Sequence, residues 1–424
     1  MTFHRPTLTN EALAAAGAIV HNCAVSLFAC VTSAMSYRSG RHFLQIPGPS
    51  PVPERVLRAM DMPVIDHRGP EFGELGSRVL ERLKSVFKTE QPVIMFPSSG
   101  TGAWEAALVN VLSPGDKVLM YETGQFATLW QELATRLELQ PEFIAGDWRG
   151  GVDPEKVAAR LAADSGHEIK AVCCVHNETS TGVTSRIGAV REAIDRTGHP
   201  ALFMVDTISG LASADYRHDE WGVDVTISGS QKGLMLPPGL GFNCVSRKAL
   251  DAHENSGFNK SYWDWSAMLG NNASGYFPYT PATNLLYGLD EALKLLLNEE
   301  GLDQVFKRHL RHAKATRVAV AHWGLETQCL VEKEHSPVLT GVVLPEGHDA
   351  DAVRKLILDK FDMSLGTGLG KVKGRMFRIG HLGDLNDLTL VGTLGGVEMG
   401  LQLAGVPVNA GGCQAAMAYL AETA

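Results

Sequence analysis

The sequence predicts an α/β protein: a mainly parallel sheet between helices, followed by a smaller α+β domain. Short apolar runs alternate with helical patterns over the first two thirds, and the texture changes past about Glu291. In order, the runs are "PVIMF" (92–96), "DKVLMY" (116–121), "KAVCCVH" (170–176), "ALFMVD" (201–206), "VDVTIS" (223–228) and "GFNCVS" (241–246). Continuous Val, Ile, Phe and Cys mark strands covered on both faces, as in parallel sheets. Between them lie helical segments such as "AWEAALVNVL" and "IGAVREAIDRTG", the second ending at Gly198, a residue suited to a helix C-cap. Strand, helix, strand repeats make an α/β domain.

In the last third, "LDQVFKRHLRHAKATRVAVAHWGL" predicts one long amphipathic helix. "TGVVLPEGHDADAVRKLILDKFDMSLGTG" reads as strand, turn and helix, with Val353, Leu356, Ile357 and Phe361 on one helical face. "RMFRIGHLGDL" is a strand and loop, and "LVGTLGGVEMGLQLAG" a closing helix. No repeat or low-complexity linker separates the parts. The expected division is an extension over 1–40, a large domain over 41–295 and a small one over 296–424.

The 424 residues are 45% apolar and 20% charged, ordinary for a globular enzyme. Net charge is −9 and well mixed, which speaks against a nucleic-acid or anionic-membrane surface. The basic run Lys307–Arg317 is read as the solvated face of a helix. Seven scattered cysteines show neither CxxC nor Cys/His spacing, so no metal site is expected, and reduced thiols of a cytoplasmic protein are. "AAAGAIVHNCAVSLFACVTSAM" is apolar, but His21 and Asn22 interrupt it and its basic flank is thin. It reads as a poorly ordered, non-essential extension ahead of Met35, and no later stretch is apolar for long enough to span a bilayer.

Ligands of open α/β sheets bind beyond the carboxyl ends of the strands. After "PVIMF" comes "PSSGTGAWEAAL", where Ser98, Ser99, Gly100, Thr101 and Gly102 lead into a helix. Small residues let the backbone approach an anion, and free N–H groups point at it; a plain Ser/Thr N-cap is the other reading. After "ALFMV" comes Asp206, a carboxylate needing a partner: a cationic ring nitrogen, or an arginine or helix cap. After "VDVTI" comes "SGSQK", and Lys232 has no charged neighbour between Asp224 and Arg247. Apolar surroundings disfavour its ammonium, so the amine can act as a nucleophile. Together the three are the parts of a pyridoxal phosphate site. The helix terminus anchors the phosphate, Asp206 keeps the pyridine nitrogen protonated, and Lys232 bonds the cofactor and carries protons.

These residues lie in motifs that resemble the class V, fold-type I aminotransferases, the serine–glyoxylate and alanine–glyoxylate branch above all. The motifs are "IPGPSPVPERVLRAM", "DHRGPEF", "FPSSGTGAWEAALVNVLSPGDKVL", "HNETSTGV", "VDTISG", "GSQKGLMLPPGLG", "YFPYTPATNLLYGL" and "FRIGHLGDLN", spread over about residues 42–405. The resemblance implies a seven-stranded, mainly parallel sheet in the large domain. It implies that Lys232 is the Schiff-base lysine and Asp206 the pyridinium partner. Ser99, Gly100 and Thr101 would form the phosphate loop with Gln231 nearby, Phe126 would lie over the cofactor ring where many relatives carry tryptophan, and Thr179 would contact the ring hydroxyl. Arg378 would clamp the substrate α-carboxylate, a fork-to-fork task. Tyr276 and Thr280 would reach the phosphate of the neighbouring subunit in a homodimer, with the turn Pro47–Pro49 at the same mouth.

His67 and Arg68 either line the substrate entrance or cap a turn. Trp263 and Trp265 are read as packing or subunit contacts, and "GTGLGK" (366–371) as a turn before the Arg378 strand. The resemblance implies ping-pong transfer of an amino group from L-serine to glyoxylate, giving hydroxypyruvate and glycine. L-aspartate or L-alanine is the alternative donor, an aspartate donor needing a second cation for which Arg68 is the candidate. Cysteine desulfuration is disfavoured because Cys329 and Cys413 are poor candidates for its mobile cysteine. A non-catalytic binding protein is the remote third reading.

Overall fold

The computed structural model describes residues 39–424, so the expectations for the N-terminal 34 residues fall outside the described residues. β1 (Phe43–Gln45) opens the described chain. β2 (Val93–Ser98), β3 (Lys117–Tyr121), β4 (Gln140–Ile144) and β5 (Ile169–Val175) follow. Next come the two-residue β6 (Asn177–Glu178) and β7 (Val183–Thr184), then β8 (Leu202–Asp206), β9 (Val225–Gly229) and β10 (Gly239–Val245). β11 (Glu326–Thr327), β12 (Leu339–Val343), β13 (Met363–Thr367) and β14 (Met376–Gly380) belong to the last third.

Seven strands form one sheet in the order β2-β10-β9-β8-β5-β3-β4. Only β10 runs against its neighbours, so the other strands all end at the same edge. Side-chain alternation explains the apolar runs. In β8, Phe203 and Val205 enter the core on one face, while Leu202 and Met204 enter the core on the other. Helices Pro70–Phe87, Ile187–Thr197 and Thr283–Lys294 cover the first face; Gly100–Val111, Gln125–Arg136 and Trp265–Asn272 cover the second. By the same parity Asp206 turns toward the second face, beside the helix that carries Trp104. β4 escaped the sequence reading because "QPEFI" is an edge strand, half-exposed and carrying a proline that a central strand would exclude.

A second sheet has the order β1-β13-β14-β12-β11. Its edge strand β1 comes from the start of the described chain and pairs parallel with β13, Phe43 opposite Met363. The segment joining β1 to the rest of the chain therefore passes between the two sheets. His42–Ala424 forms a single compact unit. The expected helices are present at Gly100–Val111, Ile187–Thr197, Leu302–His322, Ala350–Phe361 and Asp387–Leu403, and Gly198 closes the second in a left-handed conformation, φ 64°. The run Lys307–Arg317 is not a purely solvated face. Arg308 binds Glu300, Arg311 binds Asp387 and Arg317 donates to Ser336 O, while His309 and His312 are buried. "GTGLGK" is a turn only in part: Gly366 and Thr367 end β13, a short helical turn starts at Gly370, and Lys371 pairs with Glu122.

Burial lowers the pKa of His176 and His218 to about 4 and of His309 to about 3, and holds His381 well below its ordinary value. Unfolded imidazoles take up protons near pH 6.5, so acid favours the unfolded chain between about pH 6.5 and 4. Asp206, raised to about 7, and Glu178, which burial also raises, oppose this. The melting temperature should fall by about 5 °C or more between pH 7 and pH 5. Calorimetry at both pH values checks this, and an unchanged midpoint would refute it.

Candidate active site

At the shared carboxyl edge the sheet brings the polar strand ends into one small cavity. Ser99, Gly100 and Thr101 arrive after β2, Phe126 after β3, Thr179 from the β6–β7 turn, Asp206 at the end of β8, and Gln231 and Lys232 after β9. Tyr276 and Thr280 do not line it. Tyr276 packs on Phe72 and donates to Gly69 O, and Thr280 is exposed.

Asp206 is 4% exposed. Its Oδ1 accepts the Ile208 N–H at 2.6 Å and its Oδ2 accepts the Trp104 indole N–H at 3.1 Å. Both donors are neutral, and Trp104 is fixed by stacking on Trp130. Burial pushes the carboxyl up to about 7; the backbone donor pulls it down, the Glu178 charge pushes it up, and the Trp104 donor and Lys232 charge pull it down. Neither expected protein partner, an arginine or a helix cap, is present among the described residues. The open position suits an external cation.

Lys232 is 8% exposed and donates to Pro47 O at 2.6 Å, across to the segment that follows β1. Burial, followed by the Arg378 charge, brings its pKa down to about 8, against the pull of Asp206. Ser50 Oγ donates to Lys232 O, so the same segment also fixes the lysine's backbone. A neutral amine is therefore within reach at ordinary pH, with a carbonyl to receive the proton-bearing form.

Ser99 N-caps the helix Gly100–Val111, its Oγ accepting from Gly102 N at 3.5 Å. Gly100 and Thr101, in the first turn of this helix, line the cavity, and first-turn N–H groups have no acceptor within a helix. The two glycines also serve packing. A Cβ on Gly100 would run into Ile208, and one on Gly102 into Ser98 and Trp263. Gln231 lines the cavity, its Oε1 buried without a partner among the described residues, and an amide flip would put N–H donors in that position.

Arg378, on β14, is 6% exposed. It pairs with Gly341 and Gly366 on the flanking strands, and the missing side chain of Gly366 leaves room for it and for Pro47. Nε donates to Thr367 O and Nη1 to Thr179 O, while Nη2 has no acceptor among the described residues. Burial lowers its pKa to about 10, still a cation at neutral pH. Of the other residues singled out, Arg68 is exposed, with its N–H on Asp66 Oδ1; Trp265 is fully buried and donates to Asn243 Oδ1, and Trp263 donates to Glu105.

The sequence reading passed over Trp104, Asn177 and Ser209, which also line the cavity. Asn177 donates to Ser209 Oγ and accepts from Ser336 Oγ, tying the β6 strand to the approach to β12. Trp104 was accessible through strand parity, because Asp206 had to face the helix that carries it. The others depend on contacts remote in sequence.

The chain matches the model of the family described as Aminotransferase class-V over residues 42–376. It is 50% identical over 396 residues to the serine–glyoxylate aminotransferase of Methylorubrum extorquens, covering 92% of this chain and 98% of the relative. It is 44% identical to the L-aspartate–glyoxylate aminotransferase of Paracoccus denitrificans, covering 89% and 96%. Among solved structures, the ureidoglycine–glyoxylate aminotransferase of Bacillus subtilis superposes with a TM-score of 0.84 at 29% identity, covering 91% of this chain and all of that one.

Gly100→Ala should destabilise the protein by about 1–3 kcal/mol through overpacking against Ile208. In an Ile208→Val background the loss should shrink, because the nearest methyl is gone. Urea unfolding of the four proteins checks both points; equal losses in the two backgrounds would place the clash elsewhere.

Proposed function

The chain belongs to the class V aminotransferases, and we propose that it moves an amino group from L-serine to glyoxylate, giving hydroxypyruvate and glycine. Pyridoxal phosphate is the cofactor. When bound, it supplies an electron-accepting ring that stabilises negative charge at the substrate's α-carbon. The observation that carries the reading is Asp206: a sealed carboxylate with two neutral donors and no protein cation fits a protonated ring nitrogen.

In this reading Ser99, Gly100, Thr101 and Gln231 hold the phosphate through N–H donors, and Phe126 covers the ring. Thr179, which lines the cavity, would contact the ring hydroxyl. Lys232 would hold the cofactor, and its Nζ would take the proton from the amino acid's α-carbon, a role suited to an amine that burial brings down to about 8. Arg378 presents its unused Nη2 edge to the substrate carboxylate. Excluding water around Asp206 and Arg378 strengthens both charge pairings. The transfer would be ping-pong: serine gives up its amino group and departs as hydroxypyruvate before glyoxylate takes the group and leaves as glycine.

Tyr276 and Thr280, which stand outside the cavity of their own chain, belong in this reading to the phosphate site of a second copy in a homodimer. The boundary near residue 295 then separates the cofactor-binding part from the part that brings Arg378. A cytoplasmic setting suits the five free thiols among the described cysteines.

The visible absorption of the lysine-bound cofactor should fall on adding L-serine and return on adding glyoxylate, and Lys232→Ala should lack it. Bleaching by aspartate or alanine but not by serine would overturn the donor. No absorption after soaking with pyridoxal phosphate would overturn the whole reading. Arg378→Ala should raise KM for both amino acid and oxo acid by at least about tenfold, the loss of a charge-assisted pairing. Steady-state kinetics with both substrates measures this, and an unchanged KM would remove Arg378 from the carboxylate.

A further inference from the structure

The turn that follows β5 does more than present Thr179. The chain runs through β6, turns at Thr179–Gly182 and returns as β7, with Asn177 opposite Thr184 and Glu178 opposite Val183. Gly182, at φ 76°, lets the turn close on Glu178 O. Glu178 itself is completely buried, unusual for a carboxylate with no cation bonded to it.

Its partners are backbone N–H groups at the start of the helix Gln125–Arg136. Oε1 accepts from Phe126 N at 3.3 Å and Oε2 from Ala127 N at 3.1 Å. Oε1 also accepts from Ser180 N at 3.0 Å and Ser180 Oγ at 2.7 Å, and Ser180 Oγ in turn accepts from Gln125 N at 2.8 Å. The N-cap residue of this helix, Gly124, offers no side chain, and a Cβ there would collide with Ser180 Oγ and Glu178. The first three N–H groups of the helix are thus capped from another part of the chain.

That helix presents Phe126 to the cavity, and the carbonyl next to Glu178 (Thr179 O) holds Arg378 Nη1 at 2.7 Å. We propose that Glu178 is a positioning residue: its carboxylate locks the ring-covering Phe126, the Thr179 contact and the substrate-binding Arg378 into one rigid frame. This rests on the aminotransferase reading given above. A simple helix cap would stabilise the protein without touching cofactor geometry or substrate affinity. The shared turn makes all three respond together.

Glu178→Gln keeps the shape but sets an N–H₂ against backbone donors, so at least one cap bond is lost. The variant should retain the lysine-bound cofactor absorption while its visible circular dichroism falls by at least about half. Cofactor release into an apo-protein trap should quicken, and KM for serine and glyoxylate should rise at least about fivefold, as expected for a lost charge-assisted hydrogen bond of about 1 kcal/mol or more. Asp153→Ala removes a side-chain cap from the separate helix Pro154–Ala162 and should lower stability while leaving dichroism and KM unchanged. If Glu178→Gln does not fold, Ser180→Ala, which cuts the hydroxyl link to Gln125 N, should shift the same readouts in the same direction. Unchanged dichroism, release and KM in a variant that only melts earlier would overturn the proposal and leave the aminotransferase reading standing. Absence of cofactor absorption in the unaltered protein would overturn both.

Discussion

A carboxylate is sealed at the end of a central strand with no cation of its own, and the arrangement around it follows from that. Holding Asp206 ionised costs about 4 kcal/mol relative to water, since its pKa rises from 3.8 to about 7 and each tenfold in the acid constant is about 1.4 kcal/mol. Two neutral hydrogen bonds offset burial only in part. In the proposed reading a protonated ring nitrogen would meet the remaining demand for positive charge. Trp104 and Ile208 fix the direction in which that charge must lie.

Lys232 shows the complementary case. Burial weakens its ammonium, and the nearby Arg378 charge weakens it further, yet Asp206 keeps the shift moderate, at about 8. The three ionisable groups come from β8, from the turn after β9 and from β14 in the other sheet. Their charges are coupled although they hold no bond to one another. Glu178 adds a fourth buried charge, which raises Asp206 and supports the cationic Arg378. Rigidity of the turn that carries Glu178 is therefore an electrostatic as well as a geometric matter.

Much of the large sheet was legible because burial on both faces leaves an unambiguous run of apolar residues. β4 was not, because an edge strand is half-exposed and tolerates Pro141. β1 and β13 were also passed over: β1 has only three residues, β13 ("MSLGT") breaks its apolar pattern with Ser364, Gly366 and Thr367, and β1 becomes a strand only by pairing with β13, about 320 positions away. In the site, Lys232 and Asp206 stood out because charge is rare in such surroundings. Gly100 and Gly102 stood out as small residues at a helix start, and packing gives a further reason for them, since their side-chain space is taken by Ile208, Ser98 and Trp263.

By itself the sequence determined the strand and helix order, the strand ends that carry the chemistry, and the residue types held there, because periodicity and isolated charge are local properties. Tertiary structure alone decided which groups meet. That Pro47 O receives Lys232, that neutral donors rather than an arginine face Asp206, and that Glu178 caps a helix more than fifty residues earlier depend on how distant segments pack. Hydrogen bonds and desolvation act through space, and spacing along the chain does not encode them.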